Sequence, residues 1–133
     1  MSVINLTPHS VQVYSESQFK GLEQVNPTTW VADSVEGVPL ASYESQGMAR
    51  ISVKTEDLGD EVDGVPIFQS VYGEAVGVPE SLEDGDVLIV SLPMQSMAKA
   101  SQHPMAPTMV SPFKVVRSRA NGSLVLGCMG FTK

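Results

Sequence analysis

The sequence predicts a mainly β (α+β) domain: an antiparallel sheet or barrel-like sandwich of about seven or eight short strands, with one helix inserted near residues 92–101. Three observations predict it. Short runs rich in β-branched and aromatic residues recur along the chain, bounded by Gly, Pro, Asn and Asp. The dipeptides Asp63-Gly64 and Asn121-Gly122 stand between such runs as hairpin turns do. Only Ser91 to Ala100 carries apolar residues at helical spacing. A chain of 133 residues with 42% hydrophobic and 17% charged side chains fits one domain, 1–133, that buries a core without disulfide or metal staples.

The elements follow in order. Val3 to Tyr14 reads as a strand, a turn marked by Pro8 and a second strand, because Val11 and Val13 alternate with Gln12 and proline lacks an amide donor. Ser15 to Pro27 is polar and contains Gly21, so it reads as a surface loop with room for a helical turn over Gln18 to Val25. Thr28 to Ala32 opens a second strand region, and Trp30 reads as a core or subunit-contact anchor. Met48 to Lys54 alternates, with Met48, Arg50, Ser52 and Lys54 on one face and Ala49, Ile51 and Val53 on the other.

Asp57 to Glu61 reads as an acidic loop, followed by a hairpin whose turn is Asp63-Gly64 and whose return strand is Val65 to Tyr72. Val87 to Val90 is an unbroken apolar run, which predicts a strand buried on both faces. Ser91 is placed to cap a helix with Pro93 in its first turn and Met94, Met97 and Ala98 on its buried side. His103 to Pro112 holds three prolines and reads as an extended loop. Phe113 to Ala120 and Ser123 to Phe131 flank Asn121-Gly122 as the last hairpin.

Charge is unevenly spread. Residues 1–86 carry fifteen acidic and three basic side chains, for −12, and residues 87–133 carry five basic and no acidic ones, for +5. Two readings follow: halves that attract each other within or between subunits, or a cationic site for a small anion on an acidic body. The overall −7 and the lack of a basic, aromatic-interleaved stripe exclude extended nucleic acid as a partner. No run is long enough to cross a bilayer, and the N-terminus has neither a basic leader nor an apolar signal core. A cytoplasmic location and no membrane partner are expected.

Cys128 is the sole cysteine, and His9 and His103 are the only histidines, so no Cys/His spacing suits zinc. No phosphate loop and no dinucleotide fingerprint occur, so no metal and no cofactor is expected. Nor is there a Gly-x-Ser-x-Gly elbow or a catalytic-cysteine context, so the chain reads as a non-enzyme with no catalytic residues. Paired carboxylates such as Asp60/Glu61 and Asp84/Asp86 could bind a hard cation or act in acid/base chemistry, yet charge runs on glycine-containing loops are usually solvated turns. The densest polar cluster is Asn5, Thr7, Pro8 and His9. These types serve a ligand or shape a turn by bonding to nearby backbone. Arg117 and Arg119 share one face of a strand, where their planar forks suit phosphate or carboxylate or simply form a solvated, acid-paired face.

Several segments together carry a resemblance. Asn5-Leu6-Thr7-Pro8-His9, Ser45-Gln46-Gly47-Met48-Ala49-Arg50-Ile51-Ser52, Val65-Pro66 to Tyr72-Gly73-Glu74, Val87 to Ser91, and Val116-Arg117 with Gly122 and Gly127 resemble a family of small uncharacterised phage and bacterial proteins that begin with an Asn-Leu-Thr-Pro-His motif. The chain departs from that family in having Gln102-His103 where Arg and Asp are common, and Arg117-Ser118 where Arg-Asp is common. In size and context the family is similar in kind to the anti-defence sponges with which phages sequester nucleotide immune signals.

The resemblance implies a non-enzymatic homo-oligomer in the host cytoplasm, binding a small anionic, phosphorylated nucleotide-like ligand. Arg50, Arg117 and Arg119 would then contact the anion, Asn5, Thr7 and His9 would orient it, and Tyr72 would supply an aromatic wall. The alternatives are a structural or assembly protein of a phage particle with no small-molecule ligand, and a nucleotide-processing hydrolase using His9.

Overall fold

The computed structural model describes residues 2–133, and the side chains of all of these except Ile51, Tyr72 and Glu74. The chain is mainly β, with one α-helix and a sheet that curls into a nearly closed barrel. Around the barrel run β1 (Val3–Asn5), β10 (Val87–Ile89), β11 (Met109–Ser118), β12 (Val125–Thr132), β2 (Val11–Val13) and β7 (Ala41–Tyr43). A bridge between Asn5 and Ser45, just beyond β7, joins the last strand back to the first. Closure removes edges that would otherwise pair with other chains.

Pairing is mixed. β1–β10, β10–β11 and β12–β2 run parallel, whereas β11–β12 and β2–β7 are antiparallel. The C-terminal half of β11 also pairs in parallel with β5 (Thr29–Ala32), which carries β4 (Glu23–Asn26) on its far side. A small ribbon of β3 (Phe19–Lys20) and β6 (Ser34–Val35) completes this lobe.

β10 shows why its apolar run is unbroken. Leu88 and Val90 pack toward the helix with Met94, Ala98 and Met109, while Ile89 joins Val11 and Cys128 in a second cluster with Val3, Tyr43, Val115 and Phe131. Leu88, Ile89 and Val90 are all fully buried. A third cluster of Tyr14, Phe19, Ala32 and Val116 lies beneath β5. Gly127 admits the Tyr14 ring against β12, since a methyl there would stand 2.6 Å from a ring carbon.

The helix α1 (Leu92–Ala100) begins where expected: the Ser91 side chain accepts from the Met94 amide, and Pro93 stands in the first turn. Its Gln95 is buried, donates to the Met109 and Thr132 carbonyls, and accepts from the Ser111 hydroxyl at 2.8 Å. That one amide ties α1 to both β11 and β12.

The remaining hairpin leaves the barrel altogether. β8 (Arg50–Val62) and β9 (Val65–Val76) pair only with each other among the described residues. At about 3.3 Å per residue the ribbon is roughly 40 Å long. Asp63 and Gly64 have φ of 50° and 79°, the doubly positive pair that a type I′ turn requires.

Several element expectations change. The acidic segment Asp57 to Glu61 lies within β8, where extra residues bulge between Asp57 and Glu61, rather than forming a loop. Ser15 to Pro27 holds a single 3-10 turn at Glu16–Gln18 and then the strands β3 and β4. The proline-rich segment ends early: a 3-10 turn at Ala106–Thr108 leads into β11, which includes Pro112. The last hairpin is wider than a two-residue turn. β11 stops at Ser118 and β12 starts at Val125, and the Asn121 side chain accepts from the Ser123 amide while its carbonyl accepts from the Leu124 amide. Asn121 therefore organises a longer turn through its own side chain.

Candidate functional site

The polar knot sits on the barrel seam. Asn5 is fully buried, and its Nδ2 donates to the carbonyls of His9 at 2.8 Å and Tyr43 at 2.9 Å. Its Oδ1 accepts from the Thr7 amide at 3.0 Å and the Thr7 hydroxyl at 2.6 Å. Two donors and two acceptors are the full capacity of a carboxamide in such a site. The His9 carbonyl, 2.9 Å from Thr7 Oγ1, is a second acceptor within reach of that one hydroxyl proton, and the Ser45 hydroxyl donates to the Thr7 carbonyl. Pro8 and His9 form the exposed apex of this turn. The Asn-Leu-Thr-Pro-His stretch thus forms the closure of the barrel, with the His9 imidazole at the surface.

Arg117 and Arg119 lie elsewhere on the sheet. Asn5 is level with Ile89, and Ile89 with Val110, whereas Arg117 stands seven residues further along β11. At about 3.3 Å per residue the separation is roughly 23 Å. Arg119 donates to Asp33 at 2.6 Å, to Glu23 at 3.2 Å and to the Gly21 carbonyl at 2.8 Å, fastening the β3–β6 and β4 segments to the end of β11. Arg50 is exposed at the base of the β8–β9 ribbon, paired with Val76. Along the sheet Arg117 and Arg119 stand away from Asn5, Thr7 and His9, whereas Arg50 follows Ala49, whose amide donates to the Leu6 carbonyl at 2.9 Å. The Tyr72 side chain lies outside the described residues.

Arg117 is different. Its Nη1 reaches the Gly122 carbonyl at 3.3 Å, and among the described residues no carboxylate pairs with it. Three residues back, Lys114 places its Nζ 5.4 Å from the Trp30 ring centroid and 5.8 Å from that of Phe113, within cation–π range. Lys114 holds a left-handed φ of 52°, rare for a residue with a Cβ and costly for a strand. The exposed apolar residues Phe113, Leu124 and Val125 border the two cations, with Val125 directly paired with Arg117. Register sets Trp30 beside Val116 and Arg117 beside Val31 and Val125, so by alternation Trp30 and Arg117 stand on opposite faces of the β5–β11–β12 sheet. Only Arg117 was legible in the sequence as a candidate. Trp30 lies 84 positions from Lys114 and reaches it only through the β5–β11 pairing.

Two clefts complete the surface. One, of about 730 Å³, is lined by Ser2, Ile4, Gln46, Leu82, Glu83 and Asp86 and carries carboxylates. Asp86 is held there by the amides of Ser2 and Glu83, at 2.8 and 3.0 Å. The other, of about 470 Å³, lies past the end of α1 between Lys99, Gln102, His103 and three loop residues. None of the six described candidate residues lines either cleft.

Among the described residues no group of three His, Cys, Asp or Glu side chains is gathered to hold a metal ion. No helix among them is long and apolar enough to cross a membrane. Cys128 is buried in the barrel, and desolvation raises its thiol pKa above the ordinary value of 9.0, against the opposing pull of backbone hydrogen bonds from Gly130 and Phe113. Comparison of the chain with protein-family models, with curated proteins and with solved structures finds no match to any of them.

Proposed function

We propose that the protein is a non-enzymatic interaction protein that works as a homo-oligomer, with the β8–β9 ribbon as its contact element. One observation carries this reading: a ribbon of two strands projects from the barrel with Val53, Leu58, Val62, Val65 and Phe68 all about half exposed or more. An isolated two-stranded ribbon is marginal in water and needs a third layer to hold its shape. Apolar area on this scale marks an interaction surface. In the phage setting that the motif resemblance implies, such a protein serves as an assembly component. Sedimentation velocity over a range of micromolar concentrations tests the reading. A mass that is a multiple of the 14.2 kDa chain is expected, and a monomer throughout overturns it.

A second reading, sequestration of a phosphorylated nucleotide-like immune signal, is favoured by one specific observation. Lys114 lies over Trp30 and Phe113, and Arg117, three residues further along β11, pairs with no described carboxylate, so stacking surface and anion contacts are both present. Incubation with cyclic nucleotides and ADP-ribose isomers, then heat release and chromatography, distinguishes the two. Intact ligand retained by the wild type and lost in Arg117→Ala supports sequestration, and no retained ligand overturns it. For the hydrolase reading the geometry offers nothing: His9 is exposed, and no described carboxylate bonds to it.

A further inference from the structure

We propose that Asn121 is a site of spontaneous modification. In the turn between β11 and β12 the Gly122 amide nitrogen attacks the Asn121 side chain, ammonia leaves, and water opens the resulting succinimide to aspartate or isoaspartate. This chemistry is independent of the oligomer and ligand readings above.

Three asparagines occur in the chain, and only one is set up to react. Asn5 is fully buried, precedes Leu6, and has both polar atoms of its side chain committed to hydrogen bonds. Asn26 precedes Pro27, whose ring nitrogen has no hydrogen to give up. Asn121 is exposed and precedes Gly122, which has no Cβ to obstruct ring closure.

The turn leaves the nucleophile free. The Asn121 amide donates to Ser118 Oγ at 3.2 Å, the Ser123 amide to Asn121 Oδ1 at 3.2 Å and the Leu124 amide to the Asn121 carbonyl at 2.9 Å. Between them, the Gly122 N–H donates to no described group. The same turn activates the electrophile. Oδ1 also accepts from the Ser123 hydroxyl at 2.7 Å, so two donors polarise the side-chain carbonyl and hold the charge that develops on Oδ1 during attack. The bond from the Ser123 amide closes a ring containing both Asn121 Cγ and the Gly122 nitrogen, which folds the side chain back along the peptide unit that attacks it.

A bond forms from Gly122 N to Asn121 Cγ as the amide proton passes to water and the carbonyl electron pair moves onto Oδ1. Collapse of that intermediate breaks the Cγ–Nδ2 bond, and Nδ2 takes a proton from solvent and leaves as ammonia. Water then adds to either carbonyl of the ring and breaks one of its C–N bonds. The products are aspartate, or isoaspartate with the main chain rerouted through the side chain, and each carries one new negative charge. That charge appears beside a cation. Arg117 Nη1 lies 3.3 Å from the Gly122 carbonyl and has no described carboxylate partner. Conversion sets a carboxylate in the same turn and offsets it.

Incubation of the full-length protein at physiological temperature and mildly alkaline pH, followed by anion exchange and tryptic mapping by mass spectrometry, tests the assignment. The peptide from Ala120 to Lys133 is expected to lose ammonia and gain water as a mixture of aspartate and isoaspartate. The aged protein is expected to elute with Asn121→Asp. Gly122→Ala is expected to slow conversion by about tenfold, because the added methyl obstructs the line of attack. That variant keeps the turn, since φ at Gly122 is not left-handed and a Cβ there would meet nothing within 4 Å. Ser123→Ala removes one of the two donors and is expected to slow the folded protein several-fold, less than an enclosed oxyanion donor supplies because the turn is wet. In urea, where the turn is lost, Ser123→Ala is expected to react at the wild-type rate.

An unchanged Asn121 in the folded protein, over an interval in which the urea-unfolded chain converts there, overturns the proposal. So does conversion at Asn5 or Asn26 ahead of Asn121. Equal slowing of Ser123→Ala in the folded and unfolded chains overturns the role given to the turn.

Discussion

Asn5 and Arg119 each make several side-chain hydrogen bonds, yet burial gives them different weight. Asn5 is fully buried, and its removal strands the His9 and Tyr43 carbonyls and the Thr7 amide inside the barrel seam. Each stranded buried group costs on the order of 1–3 kcal/mol. Asn5→Ala is therefore expected to lower stability by about 3 kcal/mol, and Asn5→Asp by a similar amount because a carboxylate cannot donate to the two carbonyls. Arg119 is about two-fifths exposed, as are its acidic partners to a greater degree, so solvent screens its ion pairs, and Arg119→Ala is expected to cost about 1 kcal/mol or less. Urea unfolding of the three variants checks the order. Cys128 supplies a pH test. Its folded-state pKa is raised by desolvation, so between the unfolded and folded values the unfolded chain binds fewer protons, and stability falls as pH rises. The expected result is a stability unaffected by this group up to about pH 8 and declining above about pH 9, with a thiol that resists alkylating reagents until the protein unfolds. The types in the knot were legible as turn-shapers or ligand contacts alike. The choice between them depended on Tyr43 and Ser45, some 40 positions away.

At the scale of elements, the hairpin at Asp63-Gly64 and the Ser91 cap were legible because both are governed by neighbours within a few residues. The acidic stretch Asp57 to Glu61 was not, because charge and Gly59 signal a loop while the backbone pairs across a bulge with Phe68 and Pro66. The ribbon also departs from the rule that strands alternate between a wet and a dry face, since both of its faces are exposed in one chain. None of the residues in the barrel's three clusters comes from the distal arm. Replacing residues 55–70 with a short turn is therefore expected to leave a cooperatively folding β domain by circular dichroism while abolishing the oligomer. Limited proteolysis gives a second measurement: trypsin is expected to cut rapidly after the exposed Lys54 at dilutions where the proposed oligomer dissociates and slowly at concentrations where it forms.

Over the whole molecule charge divides into an acidic first two-thirds and a cationic final third. If charge contributes to the proposed contact between copies, raising the salt to about 1 M, where the Debye length is about 3 Å, is expected to weaken the oligomer, with the apolar contacts keeping some association. Sedimentation at low and high salt checks this, and an affinity that rises with salt would point to apolar contact alone. By itself the sequence determined the mainly β class, the single helix, the doubly buried β10 and the separation of charge into two stretches. Each of these is set by composition, alternation or capping, which act over a few neighbouring residues. Tertiary structure alone decided that the Asn-Leu-Thr-Pro-His stretch closes a barrel, that Arg119 is held by acids while Arg117 is not, and that Lys114 lies over Trp30. Those outcomes follow from strand register and sheet closure, in which residues as far apart in the chain as Val13 and Cys128 are paired, and no local pattern encodes which distant strand will lie alongside.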